Sequence, residues 1–93
     1  MSSFIVDFYD AASAKYIGPG WNSSHLGGEM PNVGDIIFAP ESKKDFGLPR
    51  DPDKYRAYDV TRRYFFPDIE GGPCLVKVFV TVRDVSDVER TLL

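Results

Sequence analysis

"CLVKVFVTVRDV", residues 74–85, decides the fold class. Cys74, Val76, Val78, Val80 and Val82 fall on one side of a period-two pattern, and Leu75, Lys77, Phe79, Thr81 and Arg83 on the other. Valine at every second position fits a pleated, half-buried surface, whereas its branched side chain is stiff in a helix. The stretch predicts an antiparallel strand with its valine face inward and its mixed face outward.

Three more strands follow from the same reasoning. In "SFIVDFYDA" (3–11), Phe4, Val6 and Phe8 alternate with Ile5, Asp7 and Tyr9. "DIIFA" (35–39) is a short apolar run. In "YRAYDVTRRYFF" (55–66), Tyr58 and Val60 alternate with Asp59 and Thr61, and the phase slips at Arg62 and Arg63, as a β-bulge would cause. The paired glycines of "PDIEGGP" (67–73) suit a turn between the last two strands. Ser86 and Glu89 stand at capping-box spacing and predict a short C-terminal helix. The residues between the first two strands, 12–29, are rich in glycine and serine and read as irregular chain, with at most one helical turn around Ala11–Lys15. A charged loop spans 41–54, with a helical turn expected from Pro40.

The expectation is one all-β domain over 1–93: a strongly bent antiparallel sheet or small open barrel of four to five strands. Closure would hide sheet edges. A chain of 93 residues, 43% of them hydrophobic, can build one core, with little volume left for a deep enclosed pocket.

Several chemistries fail on inventory. "PNVGDIIFAP" (31–40) has the glycine turn of a phosphate loop, yet it feeds a strand, where phosphate loops open a helix. "GPGWNS" (18–23) has two glycines of a dinucleotide fingerprint, with Ser23 in the third place and Pro19 removing a donor. Both read as scaffold. One histidine, His25, and one cysteine, Cys74, cannot furnish a structural zinc site, and no nucleophile–base pair suggests itself. The lone cysteine gives no intrachain disulfide. No cofactor, metal or catalytic residue is expected, and neither a secretory signal nor a membrane span is visible. The expected location is cytoplasmic.

Two surfaces remain. Trp21 in the glycine-rich segment, Lys43, Lys44 and Arg50 in the charged loop, and Phe79 on the outward side of the last strand are candidate protein contacts, because aromatic and arginine side chains dominate interface hot spots. Arg56, Arg62, Arg63 and Tyr64 could instead hold single-stranded nucleic acid by phosphate contact and base stacking. The net charge of −3 and the interleaved Asp51, Asp53, Asp59 and Asp68 make that the second choice. A third reading is self-association through an uncovered sheet edge.

"MPNVGDIIF", "YRAYDVTRRYFF" and "LVKVFVTVRDV" together resemble the pattern of short phage- and bacterium-encoded β-barrel proteins, in which a P-x-x-G-D turn opens a strand and a valine-rich strand comes last. The resemblance covers residues 30–85, and the charged 41–54 segment departs from it. It implies an accessory protein of a phage or mobile element, some of which inhibit host defence proteins, acting by occlusion in the host cytoplasm. It transfers no catalytic residue.

Overall fold

The computed structural model describes residues 4–18, 21–22, 25–68 and 70–93, apart from the side chains of Asn22 and Lys43. Pro19, Gly20 and Ser23 of the glycine-rich segment lie outside the described residues. The fold is all-β, with five strands among the described residues: β1 (Phe4–Asp10), β2 (Trp21–Asn22), β3 (Ile36–Pro40), β4 (Tyr55–Phe66) and β5 (Cys74–Asp84). They form one sheet in the order β2-β1-β5-β4-β3, curled into a half-barrel, and a four-residue helix, α1 (Asp87–Arg90), follows.

The period-two patterns sort the faces as expected. Phe4, Val6 and Phe8 of β1, Val60 of β4, and Val76, Val78 and Val80 of β5 make the core on the concave side. Val6, Val76, Val78 and Val80 are fully buried. Each contributes about 1.5–3 kcal/mol of transfer free energy, which makes β5 the centre of stability as well as of the sheet.

The sheet is mixed where antiparallel was expected. β4 and β5 are joined by only the seven residues 67–73 and run antiparallel, but β1 lies parallel to β5 from Phe4↔Cys74 to Asp10↔Val80. A period-two pattern assigns faces and carries no direction. A short connection forces an antiparallel pair, whereas the long chain between β1 and β5 permits either direction and here makes a parallel crossover.

Two local expectations also change. Pro40 does not start a helical turn. It ends β3, on the sheet edge, where a residue without an N–H is tolerated. Single 3-10 turns form instead at Lys43–Asp45 and Pro52–Lys54, the second capped by Asp51 accepting from the Asp53 amide. Residues 11–15 form a tight reversal, not a helical turn: the Asp10 carboxylate accepts from the Ala12 amide at 3.2 Å and the Ser13 hydroxyl at 2.9 Å, and Ala14 takes φ 59°. The reversal sends Tyr16 back beside Tyr9, and Trp21 beside Val6. Part of the segment read as irregular therefore runs antiparallel along the outer edge of β1.

The "PNVGD" turn feeds strand β3, as expected. The Asp35 amide donates to the Asn32 carbonyl at 2.9 Å, the Asp35 carboxylate accepts from the Asn32 amide at 2.7 Å, and Gly34 at φ 98° takes the backbone conformation such a turn demands. Gly34 then donates to the Val60 carbonyl and Asp35 accepts from the Val60 amide, which pins the turn to β4. The bulge falls where the phase slip placed it: Val60 opposes Val80, Arg62 opposes Phe79, and Thr61 is the extra residue. No helix among the described residues is long and apolar enough to cross a membrane.

Candidate functional site

The bulge at Thr61 builds the site. The extra residue inverts the facing of everything after it, so Arg62, Tyr64 and Phe66 share the convex face with Leu75, Lys77 and Phe79, while Arg63 and Phe65 turn to the concave side. The β1–β5 register adds Ile5, Asp7 and Tyr9 to the convex face.

The rings meet there. Tyr9 stacks on Phe79, centroids 5.5 Å apart and planes 17° from parallel. Tyr64 meets Phe79 edge-on at 5.6 Å, and Tyr16 meets Tyr9 edge-on at 5.6 Å. The Lys77 ammonium lies 5.4 Å from the Tyr9 ring centre and 5.1 Å from that of Phe66. Aromatic pairs at these distances add about 0.5–1.5 kcal/mol each beyond simple burial, so the rings form one cluster held in place. Tyr16, Tyr64 and Phe66 remain 56%, 44% and 48% exposed, which leaves the cluster accessible from solvent. Ala11, Thr61, Arg62, Tyr64 and Phe79 line a shallow hollow in the same face.

At the far end of the sheet, Arg83 is gripped by two carboxylates. Its Nε and Nη2 donate to Asp59 at 2.8 and 3.2 Å, and its Nη1 and Nη2 to Glu89 at 2.6 and 2.8 Å. The Glu89 carboxylate also accepts from the Ser86 amide at 2.8 Å, completing the capping box of α1. The Arg83 guanidinium, with help from that amide, holds Glu89 at about 2, below its ordinary 4.5, and the two carboxylates raise Arg83 in turn. This cluster fastens α1 to the sheet and spends its charges internally.

The sequence-derived candidates separate. Phe79, expected outward, is on the convex face but half-buried by its aromatic neighbours. Trp21 is on the opposite side: it packs edge-on against Phe8 at 5.1 Å and Phe46 at 6.3 Å, closing the concave core. The cleft beneath it, lined by Phe8, Ile37, Ala39 and Tyr58 among others, encloses about 50 Å³, against the roughly 300–1,000 Å³ of ligand pockets. Burial beside this cleft pushes the Tyr58 hydroxyl up from its ordinary 10.0. Lys44 and Arg50 are exposed in the 41–54 loop, and the Lys43 side chain lies outside the described residues.

The basic set divides likewise. Arg62 and Tyr64 stay together on the convex face. Arg63 lies over the Phe65 ring at 5.0 Å and donates to the Pro31 carbonyl at 3.2 Å on the other side. Arg56 is held by Glu41 at 3.3 Å and Asp84 at 3.4 Å. The convex cluster thus joins one member of the protein-contact set with two of the nucleic-acid set, and recruits Tyr9, Tyr16, Phe66 and Lys77, which the sequence did not single out together. Outward alternation marked Lys77 and Phe79, but the bulge hid the facing of Phe66.

Among the described residues no group of three or more His, Cys, Asp or Glu stands close enough to hold a metal ion. Cys74 is half-buried at the start of β5, its Sγ 3.7 Å from the Leu75 carbonyl. The fold and site define a small mixed-sheet half-barrel whose convex face carries a partly exposed aromatic cluster. Comparison with family models, with curated proteins and with solved structures returned no match.

Proposed function

We propose that this chain is a non-enzymatic protein-interaction module whose contact surface is the convex aromatic face. The observation that carries the reading is the cluster of Tyr9, Tyr16, Tyr64 and Phe79, joined to Phe66 through Lys77: among the described residues no second layer covers it, and Tyr16, Tyr64 and Phe66 are about half exposed. Tyrosine and arginine are among the side chains that concentrate binding energy at protein interfaces, and phenylalanine is enriched there. Four of the rings are already packed against one another, and Lys77 bridges Tyr9 to Phe66, which lowers the ordering cost of binding.

A protein of this size can present about 800 Å² to a partner, the area of a standard interface, and needs no active site to block one. Occlusion of a host protein by an accessory factor of a phage or mobile element is the version we favour. Stacking of single-stranded nucleic acid is less well supported: of the described cations on the convex face, Lys77 already lies over two of the rings and Arg83 is held by Asp59 and Glu89, and the chain is acidic overall.

The test is a tagged pull-down from a lysate of the native host, with and without nuclease, comparing the wild type, Tyr64→Ala with Phe66→Ala, and Trp21→Ala. The expected result is a stoichiometric protein that survives nuclease, is retained by Trp21→Ala and is lost with the double variant. Recovery of nucleic acid alone, or a protein whose capture ignores the double variant, would overturn the reading.

A further inference from the structure

β4 outruns its neighbour. β3 pairs with Tyr55–Asp59, and the bonds of Gly34 and Asp35 to Val60 extend the contact by one residue, whereas β5 pairs with β4 as far as Phe66. Arg62–Phe66 therefore have β5 on one side and, among the described residues, no strand on the other. Native edges are usually short, charged or bulged. This edge has a bulge and two arginines at its start, then three consecutive aromatics, Tyr64, Phe65 and Phe66, that are 44%, 48% and 48% exposed.

We infer that this edge pairs antiparallel with the same edge of a second copy, about a two-fold axis at Tyr64. The sequence Arg-Arg-Tyr-Phe-Phe is self-complementary in that register and in no neighbouring one. Arg62 lies opposite the partner's Phe66, Arg63 opposite the partner's Phe65, and Tyr64 opposite its own counterpart. Directly opposed residues share a face, so each face of the junction gains two cation–aromatic contacts and no like-charge pair. The chain already makes this contact within itself, with Arg63 over Phe65 and Lys77 over Phe66. An axis at Arg63 would set guanidinium against guanidinium. An axis at Phe65 would bring Pro67, which has no N–H, into the ladder. Parallel pairing in register would align the arginines.

A two-fold junction closes on itself and leaves no open end for a fibre. It also joins the two convex aromatic faces into one surface, doubling the area available to a partner. The inference goes beyond the proposed function and needs no outside partner, so the two can fail separately.

The experiment is sedimentation equilibrium of the full chain from micromolar to millimolar concentration. It is run on the wild type and on Arg62→Glu with Arg63→Glu, whose fold is checked by circular dichroism. In parallel, Tyr64→Cys and Thr81→Cys, each with Cys74→Ser, are oxidised mildly. We expect a monomer–dimer equilibrium, weakened at least about tenfold by the double charge reversal, and a disulfide dimer through position 64 but not 81. The cysteine pair keeps both arginines and so reads the register even if the reversed variant misfolds. A monomer across the whole range would overturn the inference. So would a dimer indifferent to the charge reversal, or one that cross-links at 81 and not at 64.

Discussion

The Phe79 ring stacks within 17° of parallel on the Tyr9 ring, 5.5 Å away across the β1–β5 pair, on the opposite face of the sheet from Trp21. That separation assigns different work to the aromatic residues. Trp21 closes the core, and Phe79 supports a surface.

The two roles make opposite predictions under substitution. Trp21→Ala removes the edge-on contacts to Phe8 and Phe46 and opens the concave cleft. It should cost about 2–4 kcal/mol of stability, read in a urea titration, while the fraction that remains folded still binds a partner normally. Tyr64→Ala, at a half-exposed ring, should cost under about 1.5 kcal/mol and weaken partner capture by tenfold or more. Equal effects of both variants on capture would refute the division of faces.

Val78 is fully buried at the centre of β5, between β1 and β4. Val78→Ala deletes two methyl groups there and should destabilise by about 2 kcal/mol, lowering the thermal midpoint by roughly 8–16 °C in a domain of this size. Val88→Ala, at an exposed position on α1, should shift the midpoint by no more than a degree or two. Scanning calorimetry on the pair checks whether the valine face of β5 is the core.

Acid should loosen α1 first. Glu89 titrates at about 2 in the folded chain, below its ordinary 4.5, because Arg83 and the Ser86 amide stabilise the carboxylate. A lowered folded value means the contribution is complete above pH 4.5 and disappears as pH falls through 4.5 toward about 2. Glu89→Gln should therefore melt below the wild type at neutral pH, and the two melting curves should converge near pH 2. A difference in midpoint that stays constant from pH 7 to pH 2 would show that the ion pair is not its source.

The capping box can be tested apart from the charge. Ser86 Oγ accepts from the Glu89 amide at 3.2 Å. Ser86→Ala should cost about 1 kcal/mol and speed hydrogen exchange at the Glu89 and Arg90 amides, with β5 amides unchanged. Uniform acceleration across the sheet would contradict a local role.

Gly34 bears on the turn with which β3 begins. Its φ of 98° strains any L side chain, although open space surrounds the position where a Cβ would sit. Gly34→Ala should therefore cost about 1 kcal/mol through backbone strain alone, and Gly34→Asn less, because asparagine tolerates positive φ better. If Gly34→Ala proves neutral in a urea titration, the turn conformation is wrong.

Much of this protein was legible one residue at a time. Alternation placed β1, β4 and β5 and gave β5 its inward face, because side chains on a strand alternate whatever the strand pairs with. Ser86 and Glu89 announced α1, and "PNVGD" its turn, because caps and turns are local hydrogen-bond patterns written within four residues. The phase slip at Arg62 even located the bulge. What the sequence could not supply was adjacency. The parallel placement of β1 against β5 depends on a long connection, and only that placement brings Tyr9 onto Phe79. Tyr64 and Phe66 reach the same face because the bulge inverted them, and Arg56, Arg62 and Arg63, close neighbours in the chain, ended in three different environments. Faces are set by local backbone geometry and so belong to the sequence. Which faces meet is set by how strands pair across distant parts of the chain, and tertiary structure alone decided that.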